Sequence, residues 1–164
     1  MADIKLAYGT SFDASISLAS LLYDANLLQG RESTAISNSA GNLDYLISGK
    51  ITTGTAPGLG TIEVWAVGSI DGTTWPDVFD GTDSPETVSS LSVKNEVCKL
   101  VSAIANYNIS NYAQFFGPVS LASIFGGTVP KAFVLFVVNG SGVALNATAS
   151  NHQIRLTPVY ETVG

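Results

Sequence analysis

The seven residues Ala132-Phe-Val-Leu-Phe-Val-Val138 constrain the fold more than any others in the chain. They are apolar at every position, so a strand built from them has no face to offer to water. The run ends at Asn139-Gly-Ser-Gly142, a turn signal, and it is far short of the ~20 apolar residues that cross a bilayer. A short, β-branched and aromatic run bounded by turns predicts a strand at the centre of a sheet, covered on both sides. Phe133 and Leu135 should face one way, Val134 and Phe136 the other.

The neighbouring patterns are also those of strands. Gly60-Thr-Ile-Glu-Val-Trp-Ala-Val-Gly68 alternates, with Ile62, Val64 and Ala66 on one face and Glu63, Trp65 and Val67 on the other. Leu43–Thr53 is a β-rich run, and the loop signal Thr55-Ala-Pro-Gly-Leu-Gly60 between the two predicts that 43–53 and 60–68 pair antiparallel. Further strands are expected at Val97–Ile104, Phe115–Leu121, Ala132–Asn139 and Gln153–Tyr160. Pro158 suits an edge or a strand end, because it has no N–H for a ladder. Asp71-Gly72 marks a tight turn of the hairpin kind.

Helix signals are scarce. Leu18, Leu21, Leu22 and Leu28 have roughly helical spacing, which gives 18–28 as a short helix or an irregular arm, and Ser120–Phe125 allows one helical turn before Gly126-Gly127. Short strands between Gly, Ser, Asn and Pro turns predict an all-β chain, an antiparallel β-sandwich of jelly-roll type. Residues 1–30 form an N-terminal arm or short helix and 31–164 a single sandwich domain.

The residues available for chemistry are few. Seven Lys and Arg against 13 Asp and Glu give a net charge of −6 with no basic cluster, which argues against a nucleic acid or an anionic membrane as partner. A single Cys and a single His exclude a disulfide framework and a histidine metal site. Phosphate-loop, dinucleotide, HExxH and Gly-x-Ser-x-Gly patterns are absent, so neither catalytic residues nor a cofactor are expected. His152 is read as a structural or solvated histidine and Cys98 as a packing residue. Asp71, Asp77, Asp80 and Asp83 cluster, but without an EF-hand spacing they are read as solvated loop acids and not as a metal site. The N-terminus lacks the pattern of a signal peptide, and synthesis in a cytoplasm is the expectation.

Two segments carry resemblances. Ser69-Ile-Asp-Gly-Thr-Thr-Trp75 resembles a hairpin of discoidin-like jelly rolls, some of which bind sugars. That resemblance makes Trp75, and less directly Trp65, a candidate stacking platform for a glycan, against the plainer role of a packing residue. The second spans roughly 31–145. Arg31-Glu-Ser-Thr-Ala-Ile36, Lys50-Ile-Thr-Thr-Gly-Thr55, Val64–Trp75 with Asp80-Gly-Thr-Asp83, Phe116-Gly-Pro-Val-Ser120 and Phe125-Gly-Gly-Thr-Val-Pro130 follow in an order that resembles small β-rich structural proteins of tailed-bacteriophage virions.

This second resemblance implies a non-enzymatic virion protein, located in the virion. The class is a capsid decoration protein on the major capsid protein lattice, or alternatively a tail or baseplate component. A carbohydrate-binding module is the reading from a different class. Such a protein needs a docking surface, and it is expected to self-associate or to bind other virion proteins. The apolar residues Ile4, Leu6, Tyr8, Phe12, Leu18, Leu21 and Leu22 ahead of the first clear strand are the candidates for that surface.

Overall fold

A computed structural model of the chain describes residues 3–163. The strands are β1 (Ile4–Tyr8), β2 (Phe12–Asp13), β3 (Gln29–Glu32), β4 (Ile36–Ser37), β5 (Asp44–Thr52), β6 (Thr61–Gly68), β7 (Pro85–Thr87), β8 (Cys98–Ala105), β9 (Ala113–Ser120), β10 (Ala132–Asn139) and β11 (Gln153–Val163). Two short helices, α1 (Leu91–Val97) and α2 (Leu121–Ile124), lie between them. The strands form two antiparallel sheets. Sheet A has the order β1-β11-β5-β9 with β2 also on β11, and sheet B has the order β7-β3-β10-β6-β8 with β4 also on β10.

Alternation along the strands builds the core. Tyr45, Ile47 and Ile51 of β5 and Ile154 and Leu156 of β11 point from sheet A into one cluster. Ile62, Val64 and Ala66 of β6 and Phe133, Leu135 and Val137 of β10 meet them from sheet B. The other faces of β6 and β10 carry Trp65, Val67, Val134, Phe136 and Val138, and these belong to a second cluster with Phe79, Val88 and Cys98. The chain from Ser69 to Val97 supplies that second cover, so the molecule has a third layer over sheet B. Every residue of β10 is buried, with the two faces divided as its sequence requires.

Side chains pin this layer. Lys94 of α1 is buried, 2.8 Å from Glu63 Oε2, donates to the Leu27 carbonyl, and sits 4.9 Å from the centre of the Trp65 ring. The Trp65 indole N–H donates to the same carboxylate oxygen at 2.9 Å. Buried Glu32 accepts from the Gly81 N–H at 2.7 Å and more weakly from Asp80. Burial pushes its carboxyl up to about 7, against those donors.

Several expectations are corrected. Strands β5 and β6 do not pair, because they belong to opposite sheets and face each other across the core. Each takes other ladder partners, β5 between β11 and β9 and β6 between β10 and β8, and their apolar faces meet across the core. The intervening loop passes tightly under the 140–145 segment. A Cβ at Gly54 or Gly60 would collide with the carbonyl of Ala144 or Gly140.

The turn at Asp71-Gly72 forms, with Gly72 at φ +107° and the Ile70 N–H donating to the Thr74 carbonyl. No second strand follows it; the chain wraps sheet B instead. Segment 18–28 is not a helix. Ser20 and Leu27 hold positive φ, and the Asp24 carboxylate takes the N–H groups of Asn26, Leu28 and Gln29, which makes a compact turn.

Pro158 lies in a central strand. It falls between the Tyr8–Val159 pair of β1 and the Phe12–Leu156 pair of β2, where the neighbouring ladder is interrupted and no donor is missed. Helix α1, absent from the sequence expectations, precedes β8 and takes in Val97, the first residue expected in that strand. Ser90 caps the helix by accepting from the Val93 N–H.

Candidate functional site

Strand β1 is the edge of sheet A. The β5 ladder on β11 ends at Val159, whereas β11 continues to Val163. Residues Ile4–Ala7 and Tyr160–Val163 therefore form a two-stranded ribbon that extends past the rest of the sheet. Alternation places Ile4, Leu6 and Tyr8 on one face, 69%, 68% and 68% exposed, with Val163 opposite Ile4 at 75%. A lone two-stranded ribbon is marginal in water, and leaving a face that is aliphatic except for Glu161 opposite Leu6 uncovered adds to that cost. Lys5 alternates onto the other face, opposite Thr162.

The remaining residues of the apolar N-terminal set divide. Leu22 is exposed. Phe12 turns toward the core edge, its ring meeting Tyr45 edge-on at 6.3 Å. Leu18 is buried in the core and Leu21, partly buried, packs against it, so these two hold the segment on its own domain. The Asp13 carboxylate fastens β2 by accepting from Arg155 at 2.9 Å and Gln153 at 3.0 Å, bonds that hold it below the usual carboxylate range.

The other candidates are engaged locally. Trp65 is buried under Lys94 and has no open face for a sugar. Trp75 is half-buried and packs on the second cluster, with Gly81 against its ring. The acids of the 71–83 segment turn to separate partners: Asp71 to Thr73 and Thr74, Asp77 to Ser89, Asp80 to the Thr82 N–H, and Asp83 to Arg31 at 2.6 Å and Ser17. Among the described residues no group of three or more His, Cys, Asp or Glu side chains converges.

His152 Nε2 lies 2.8 Å from the Asn146 carbonyl and Nδ1 faces the Thr52 N–H at 3.4 Å, which sets the neutral Nε2–H tautomer. Burial lowers its pKa. It lines a cavity of about 320 Å³ with Asp13, Ser150 and Gln153, a site without a nucleophile in contact with the imidazole. Burial raises the Cys98 thiol to about 12, the state of a packing residue.

Sequence reasoning passed over one surface, the flank where β8 and β9 end their sheets, with exposed Tyr107 and Phe115. Its signal was a long stretch without charge. Comparison of the chain with protein-family models, curated proteins and solved structures finds no match.

Proposed function

We propose that this chain is a non-enzymatic structural protein of a tailed-bacteriophage virion, a capsid decoration protein that docks on the major capsid protein lattice. The class comes from the ordered resemblance over 31–145. The observation that carries a docking role is the β1–β11 ribbon, with Ile4, Leu6 and Val163 uncovered on a strand pair that reaches past its sheet. A sandwich whose core is already complete gains nothing from this apolar face, whereas burying it against a capsomer is worth roughly 1.5–3 kcal/mol for each side chain fully covered.

The test is cosedimentation of the purified chain with particles that lack it, alongside separated tails. Binding to capsids that is lost in Leu6→Lys, with the domain still folded, is the expected result. Binding to tails and not to capsids replaces decoration with the tail reading. Binding to neither overturns the proposal.

A further inference from the structure

We propose that the flank made by β8, the 106–112 connection and β9 is the surface through which two copies of this chain associate. Strand β8 ends sheet B and β9 ends sheet A, and the two lie against each other on one side of the sandwich. Each therefore keeps one unpaired backbone edge, and the edges border a cleft of about 490 Å³. Of its lining, Tyr107, Tyr112 and Phe115 are 66%, 43% and 75% exposed, and Leu100 and Ile109 of the same segments are 44% and 49% exposed. Tyr107 and Tyr112 meet edge-on at 6.2 Å.

The charge pattern points to a second copy as the occupant. From Leu100 to Pro130 the chain has no Asp, Glu, Lys or Arg, although the whole chain carries a net charge of −6. The opposite edges have the usual guards against strand addition: Pro85 and Glu86 in β7, Lys5 in β1 with Asp3 beside it. On the β8–β9 flank such guards stand only at the ends, Lys99 at the start of β8 and Pro118 near the end of β9, and leave Leu100–Ala105 and Ala113–Gly117 without one. A basic partner would be met by acids, and this face has no acids to meet it. Two identical acidic chains repel at a distance, and a face without acids, bordered only by Lys50 opposite Phe115 and by Lys99, lets them close. Aromatic enrichment with charge depletion is also the composition of an interface core.

The area is of the right order. The three exposed rings present about 350 Å². Leu100, Ile109 and the strand edges extend that toward the ~800 Å² per partner of a standard interface. A two-fold contact covers the flank of both copies at once and leaves no open edge on that side to propagate. None of this depends on the capsid reading, since the association needs only this chain.

Sedimentation equilibrium and light scattering on the purified full chain test it. The expected result is a dimer that tightens as salt is raised, because salt screens the long-range repulsion and breaks no ion pair at the contact. Phe115→Lys and Ala103→Lys, both at exposed positions, should each weaken association by about tenfold or more with unchanged circular dichroism. Leu6→Lys, on the far edge of sheet A, should leave it intact. A chain that stays monomeric up to roughly 1 mM overturns the proposal. So does a dimer that survives both flank variants, or one that only Leu6→Lys dissolves.

Discussion

Strands β10 and β11 each lie inside a sheet, yet they live in different surroundings. Strand β10 is buried at every residue, while β11 alternates between buried Ile154 and Leu156 and exposed Gln153 and Arg155, then runs out into the ribbon. Both pair on two sides, so hydrogen bonding does not separate them. The difference is the Ser69–Val97 excursion, which covers the outer face of sheet B and leaves that of sheet A to solvent. A chain this size has enough apolar residues to seal one sheet on both faces. The open sheet and its ribbon are then what remains for partners.

The comparison can be broken most directly at β10. Phe136→Ala and Phe133→Ala remove fully buried rings from the two different clusters, and each should cost about 3–5 kcal/mol in urea unfolding. If Phe136→Ala costs less than about 1 kcal/mol, the covering layer does not pack as described.

A second, smaller loss is expected where the layer is pinned. Lys94→Ala leaves Glu63 without its cation and exposes the Trp65 face, at a cost of about 3 kcal/mol. The double change Lys94→Met with Glu63→Gln, which keeps an acceptor for the Trp65 N–H, should recover part of it. Failure to recover would place the loss in the Leu27 carbonyl bond and in helix packing and not in the pair.

Glu32 sharpens the same point through pH. Its folded pKa is raised from 4.5 to about 7, so between those values the folded state keeps a proton that the unfolded state has released. This group's contribution to stability therefore falls as pH rises from 4.5 to 7. His152, with its folded pKa lowered, works the other way near 6.5. The clean measurement is the difference: Glu32→Gln should gain stability relative to the parent as pH rises from 5 toward 7. A constant difference across that range would place the proton elsewhere.

The smallest effect belongs to the ribbon. Ile4→Ser and Leu6→Ser touch exposed positions and should change stability by less than about 0.5 kcal/mol. A loss comparable to that at β10 would mean that the ribbon face packs on its own domain, which would remove its docking role.

The sequence by itself determined the strands whose side chains carry a period. β6, β8, β9, β10 and β11 lie where alternation or a continuous apolar run places them, and the division of β10 into two faces follows from the same alternation. Local chemistry also wrote the Gly72 turn and the single turn of α2. Partnership was not local. Nothing within 43–68 states that β5 and β6 stack and do not pair, because that choice rests on two glycines passing beneath a segment some eighty residues away. The apolar N-terminal residues were legible as a set, but which of them face out was not. Leu18 enters the core while Leu6 stays exposed because β11 outruns β5, and only the assembled sheet fixes where one strand ends and its neighbour continues. The uncharged flank was present in the sequence as an absence of charge. It became a surface only when β8 and β9 were left as the open edges of two different sheets on the same side of the molecule.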